Sequence, residues 1–98
     1  MENKVTLIVK ATVNSEDMLS FNTYIERLTA LFEKMNAKQI GHYPIKETFV
    51  GDDSPTFIAI FELADRETLN AIYKTKEYIN TMIPLRNNGF KKLEVYLS

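Results

Sequence analysis

The chain contains no cysteine, which removes disulfides, thiolate nucleophiles and thiolate metal sites together. It has one histidine, His42, and a lone imidazole without thiolates is too small a ligand set for a built-in transition-metal site. No metal and no cofactor is therefore expected. Charge of one sign is lacking too: 12 lysines and arginines face 13 acidic residues, a formal net charge of -1, so the positive field that phosphate backbones require is missing. Nucleic acid is not an expected partner. No apolar run approaches the roughly 20 residues needed to cross a bilayer, and Met1, Glu2 and Asn3 lead through Lys4 straight into a strand-like pattern with no signal-peptide core. No membrane partner and a cytoplasmic location are the expectations. Phosphate loops, dinucleotide fingerprints and nucleophile elbows are absent as well, which disfavours nucleotide-dependent chemistry.

What is present is the size and balance of one folded unit. A length of 98 residues is that of one domain spanning 1–98, and 45% apolar with 26% charged residues is close to the globular average. Lys4 to Val13 alternates, with Val5, Leu7, Val9, Ala11 and Val13 on one side and Thr6, Ile8 and Lys10 on the other, the pattern of a half-buried strand. Asn14 and Ser15 offer capping side chains, and Met18, Phe21, Ile25, Leu28, Phe32 and Met35 recur at helical spacing, so a helix is predicted from Ser15 to Asn36. Lys38 to Val50 reads as a strand interrupted by Gly41 and Pro44, at a sheet edge or bulged because proline cannot donate to a ladder. A turn at Gly51–Pro55 and a strand at Thr56–Leu63 complete a hairpin. Asp65 caps a second helix carrying Leu69, Ile72 and Tyr73, a short helical segment from Lys76 to Ile83 is expected to end at Pro84, and Lys91–Leu97 is the last strand.

The order β-α-β-β-α-β gives an α+β, ferredoxin-like fold: a four-stranded antiparallel sheet with two main helices on one face. The other face would carry Ile8, Ile58 and Ile60 at its centre, too apolar to stand in water. A second copy packed sheet to sheet would cover it and close a dimeric α/β barrel, so a homodimer is expected.

Lys76, Glu77, Tyr78 and Ile79, followed by Pro84, Leu85 and Arg86, form a segment that resembles the signature of the DUF1330 group within the dimeric α/β barrel superfamily. The same layout is similar to that of the antibiotic-biosynthesis monooxygenase-like proteins. The resemblance implies a homodimer with a pocket between sheet and helices or inside the barrel. It does not imply one reaction.

Six residues are candidates for chemistry. His42 is the one side chain whose ordinary pKa lies near neutrality, a natural proton acceptor, against the plainer reading of an edge-strand histidine. Glu62 falls on the face of Ile58 and Ile60, where burial would make it a base unless Lys10 neutralises it. Arg86 offers a guanidinium fork for a carboxylate or phenolate, or else an ion pair with Glu77 or Glu62, or a helix C-terminal charge. Tyr78, Tyr43 and Lys10 complete the possible ligand set, Tyr78 alternatively packing on the sheet with its hydroxyl bonded to backbone. Two functions follow: a non-catalytic dimer that binds a small apolar or aromatic molecule, or a cofactor-free enzyme, monooxygenase- or isomerase-like, with His42 or Glu62 as base and Arg86 as anion anchor.

Overall fold

In a computed structural model of the chain, the structure describes residues 4–98; the expectation placed on Met1, Glu2 and Asn3 lies outside them. Strand β1 (Val5–Val13) is followed by helix α1 (Met18–Lys34), strands β2 (Lys38–Pro44) and β3 (Phe57–Leu63), helix α2 (Arg66–Tyr73), a π-helical turn (Tyr78–Met82), helix α3 (Ile83–Gly89) and strand β4 (Phe90–Leu97). The sheet runs β2-β3-β1-β4 and every pairing is antiparallel. This is the ferredoxin-like arrangement, with the π turn and α3 where one short helical segment ending at Pro84 was expected. No helix among the described residues is long and apolar enough to cross a membrane.

Alternation in β1 and β3 sets the faces. Leu7 and Ala11 of β1 and Ala59 and Leu63 of β3 are buried beneath the helices, joined by Tyr24, Leu31 and Phe32 of α1, Leu69 and Ile72 of α2, and Tyr78, Met82 and Phe90. On the opposite face Ile8 pairs with Ile60 and Tyr96, and Lys10 with Ile58 and Glu94, as the alternation requires.

Four expectations change in detail. The cap of α1 is Asp17, whose carboxylate accepts from the Ser20 N–H at 3.1 Å and the Ser20 hydroxyl at 2.7 Å. Asn14 instead accepts from the Glu16 N–H at 3.1 Å and donates to the Asn88 carbonyl at 2.9 Å, tying β1 to the end of α3. Helix α1 stops at Lys34, because Asn36 turns left-handed at φ 58° and the Ala37 N–H closes back on the Phe32 carbonyl. Strand β2 ends at Pro44, not Val50, and slips by one residue at Ile40, the bulge that Gly41 and Pro44 foreshadow.

The chain does not leave the helix at Pro84. The Ile83 N–H reaches five residues back to the Tyr78 carbonyl, and Pro84 then falls in the first turn of α3, where a missing N–H leaves no bond unmade. Tyr78, at the start of that wide turn, is buried in the core.

Candidate functional site

The helix layer holds a buried polar cluster. Tyr78, only 1% exposed, opens the π turn, and its hydroxyl lies 2.8 Å from that of Tyr24 on α1. Arg86, one turn into α3, donates from Nη1 to the Tyr78 oxygen at 3.2 Å. A guanidinium cannot accept, so Tyr78 presents a lone pair to Arg86 and keeps its own proton for a neighbour. The Tyr73 ring meets the Tyr78 ring edge-on at 4.5 Å. Burial, reinforced by the facing phenols, pushes the Tyr24 hydroxyl far above its ordinary value of 10.0, and burial does the same to Tyr73. Both remain neutral while an unfolded chain would ionise. Stability is therefore complete below about pH 10 and falls as pH rises beyond it, by about 1.4 kcal/mol per pH unit for each phenol held protonated. An alkaline titration followed by circular dichroism and tyrosinate absorbance is expected to show one cooperative step, with Tyr24 and Tyr73 ionising as the chain unfolds.

Several hollows lie along the helix side of the sheet, and three of them flank the candidate residues. An apolar cavity of about 40 Å3 sits between Tyr24, Tyr73 and the sheet residues Leu7, Phe61 and Leu93. Toward the β2 edge, a groove of about 540 Å3 runs between α1 and β2–β3, walled by Met18, Phe21, Ile25, Phe57 and Ala59. His42 pairs with Ala59 in the ladder and so points to this side, its ring 5.1 Å from that of Phe57; Gln39, Thr29, Ser15 and Thr56 are the other polar residues there. Toward the β4 edge, a hollow of about 530 Å3 is lined by Arg86, Asn87, Lys91, Phe90, Leu93 and Val95 among others.

The open face of the sheet carries the other ion pairs. Asp53, in the long loop from Ile45 to Thr56, reaches back over the sheet to Lys10, and Lys92 Nζ lies 2.9 and 3.2 Å from its two oxygens. Glu94 stands 3.8 Å from each lysine and accepts the Tyr96 hydroxyl at 3.0 Å. The Thr56 N–H donates to the Ala11 carbonyl, so the loop is pinned at both points. Its tip, Phe49 and Val50, is 93% and 85% exposed. Hydrogen bonds from Lys10 and then Lys92 hold the Asp53 carboxyl below its ordinary 3.8. A carboxylate with a lowered pKa stabilises above its unfolded value, and the contribution disappears as pH falls through the lowered one. Protection of the amides in residues 45–56, measured against their intrinsic exchange rates, is accordingly expected to fall below about pH 4, and Asp53→Asn is expected to reproduce that loss of protection at neutral pH.

The structure places the six candidates in three regions. Tyr78 and Arg86 come together, with Tyr24 and Tyr73 added to them; Tyr78's hydroxyl is satisfied by side chains rather than backbone. Arg86 has no ion pair with Glu77 or Glu62. His42 stands on the groove at the β2 edge, across the sheet from Arg86. Glu62 is on the open face, 3.5 Å from Lys4 and not joined to Lys10, whose partners are Asp53 and Glu94. Tyr43 also lies on the open face, its ring over Gly41 so closely that a Cβ there would stand 2.9 Å from it. Asp53 entered the sequence reading only as part of a turn. Among the described residues no group of three or more His, Asp or Glu side chains is placed to hold a metal ion.

A family model described as a domain of unknown function, DUF1330, matches residues 5–95. No curated protein matches the chain. Among solved structures, a protein of unknown function from Rhodopseudomonas palustris superposes with a TM-score of 0.86 at 10% identity, covering 100% of this chain and 82% of that one. SnoaB, described as a cofactor-independent oxygenase from Streptomyces nogalater, superposes at 0.65 with 18% identity over 98% of this chain and 91% of its own. A protein of unknown function from Bacteroides fragilis, described as dimeric and ferredoxin-like, gives 0.64 at 12% identity over 99% of this chain and 96% of its own. At these identities the likeness is one of fold.

Proposed function

The chain belongs to the DUF1330 family, and from that premise we propose that it is a homodimer that binds a small, partly apolar molecule in the groove between α1 and the β2–β3 edge. The groove carries this reading: its volume of about 540 Å3 is in the range of small-molecule sites, with apolar walls and a few polar groups, His42, Gln39, Thr29, Ser15 and Thr56, that can fix an orientation. Pairing is supported by the open face, where Ile8, Ile58 and Ile60 are only half covered and Tyr43 and Tyr96 are exposed, and by the resemblance to a protein described as dimeric. The groove lies on the helix side, so a partner on the open face leaves it accessible.

Methionine methyl NMR tests the binding directly. Met18 walls the groove whereas Met82 is fully buried in the core. Titration with small aryl alcohols such as 2-naphthol is expected to move the Met18 methyl saturably and leave Met82 in place, and His42→Ala is expected to weaken the effect. A Met18 signal indifferent to every aryl alcohol tried contradicts the reading.

A cofactor-free enzyme is the second reading, supported by the resemblance to SnoaB. In it His42 takes a proton from the molecule in the groove. Neither Glu62 nor Arg86 lines that groove, so neither serves as base or anion anchor for a molecule bound there. Turnover abolished by His42→Ala with binding retained would establish this reading over the first.

A further inference from the structure

We propose that the hollow between α3 and β4 is a separate site for a small carboxylic acid with an aryl or short alkyl body, its carboxylate on Arg86 and its body on Phe90, Leu93 and Val95. The proposal stands on the state of the guanidinium. Arg86 is half-buried, yet among the described residues no carboxylate comes within ion-pairing distance of it. Its one hydrogen-bond partner is the Tyr78 oxygen, which takes one of the five N–H donors of the fork. A desolvated cation without an anion is costly, and an exposed one would be free to move away. This one is held: Tyr78 is itself fixed by Tyr24, and the guanidinium carbon stands 5.8 Å from the Tyr78 ring centre. A fork preset in this manner matches the two oxygens of a carboxylate with little ordering left to do.

The floor of the hollow supplies the other half of the ligand. Val95 lies on the helix side of the sheet, paired with Val9, but α3 ends before covering it and leaves it 41% exposed. Phe90, Leu93 and Val95 line both this hollow and the internal cavity of about 40 Å3 behind them, so an apolar body has a surface to lie on and space beyond it. Lys91 on the rim adds positive charge, and no acidic side chain lines the hollow. A placement of Arg86 in the last turn of α3 accounts for a cation there, since that end of a helix favours one, but not for its clamp against Tyr78 or for the bare apolar strip beside it. Lys92 also lines the hollow, but its Nζ is already bonded to both oxygens of Asp53.

Amide chemical-shift titrations of the unmodified protein with benzoate and with its neutral isostere benzamide separate charge from shape. Benzoate is expected to shift residues 87, 93 and 95 saturably, to leave Met18 unmoved, and to bind at least about tenfold more tightly than benzamide. Arg86→Gln is expected to reduce benzoate to the benzamide level. Equal binding of the two probes, benzoate shifts confined to other surfaces, or undiminished benzoate binding by Arg86→Gln each overturns the proposal. Should that variant fail to fold, the benzoate–benzamide comparison decides alone. Because the signals followed here differ from those of the groove, either site can fail while the other stands.

Discussion

Replacing Gly89 by alanine is expected to cost about 3 kcal/mol or more, and to lower the melting temperature by roughly 15 °C, a large fraction of what a domain of this size possesses. The cause is one methyl group with no place to go. A Cβ on Gly89 would stand 2.7 Å from both the Cα and the backbone nitrogen of Phe21, and 3.1 Å from the Ser20 carbonyl carbon. Those are backbone atoms, so no rotamer change relieves the contact. Helices α1 and α3 must separate, which strains the Asn14 N–H to Gly89 carbonyl bond at 2.9 Å, between the end of β1 and α3, and the Tyr24–Tyr78 pair, between α1 and the π turn that leads into α3. Gly51→Ala is the instructive comparison. Gly51 sits at φ 121° in the exposed loop, where a Cβ would meet only Thr48 Cγ2 at an ordinary 3.8 Å, so there the cost is backbone strain of about 1–3 kcal/mol, without loss of packing. Thermal unfolding of the two variants by circular dichroism checks the order. Gly89→Ala melting within a few degrees of the parent would refute the close approach.

The second large effect concerns the open face. Ile60→Glu is expected to weaken self-association at least about 30-fold, because a carboxylate would be buried without a partner at the centre of an apolar patch, at a cost of 2 kcal/mol or more. Ile60 lies between Ile8 and Gly41 in the ladder, and Lys10, one pair along on the same face, is already engaged by Asp53 and Glu94. The folded monomer is expected to tolerate the change, since this face contributes nothing to the core beneath the helices. Sedimentation of the variant measures the first expectation and its melting curve the second. An Ile60→Glu chain that associates as tightly as its parent would place the interface elsewhere.

The sheet was legible from the sequence because three of its strands, β1, β3 and β4, alternate without a break. Val5 to Val13, Phe57 to Leu63 and Leu93 to Leu97 each divide into two faces, and the observed register keeps every one of those divisions. The helix on Met18 to Met35 was legible for the same reason at a different period. Pro84 misled, because the rule that proline ends a helix assumes four-residue hydrogen bonds behind it. The π turn at Tyr78–Met82 shifts that pattern and turns a terminator into a first-turn residue. Nothing in the local run of Lys76 to Ile83 announces the shift.

The polar clusters were less legible because their members are far apart in the chain. Asp53 meets Lys10 across 43 positions, and the run Gly51 to Pro55 carries turn residues for local reasons that say nothing of a lysine on β1. Tyr24 meets Tyr78 across 54 positions. Here a signal did exist. Tyr24, Tyr73 and Tyr78 all fall at core-facing helical positions, and a phenol placed there must find a partner for its hydroxyl, so three in one small core point to one another. Arg86, two residues past Pro84, was the cation available to join them.

The central claim is that this chain pairs through its open sheet face, and sedimentation velocity of the unmodified protein at micromolar concentration tests it most directly. A single boundary at twice the mass of one 11.3 kDa chain is expected. A boundary at the mass of one chain, unchanged as the concentration is raised, would contradict it.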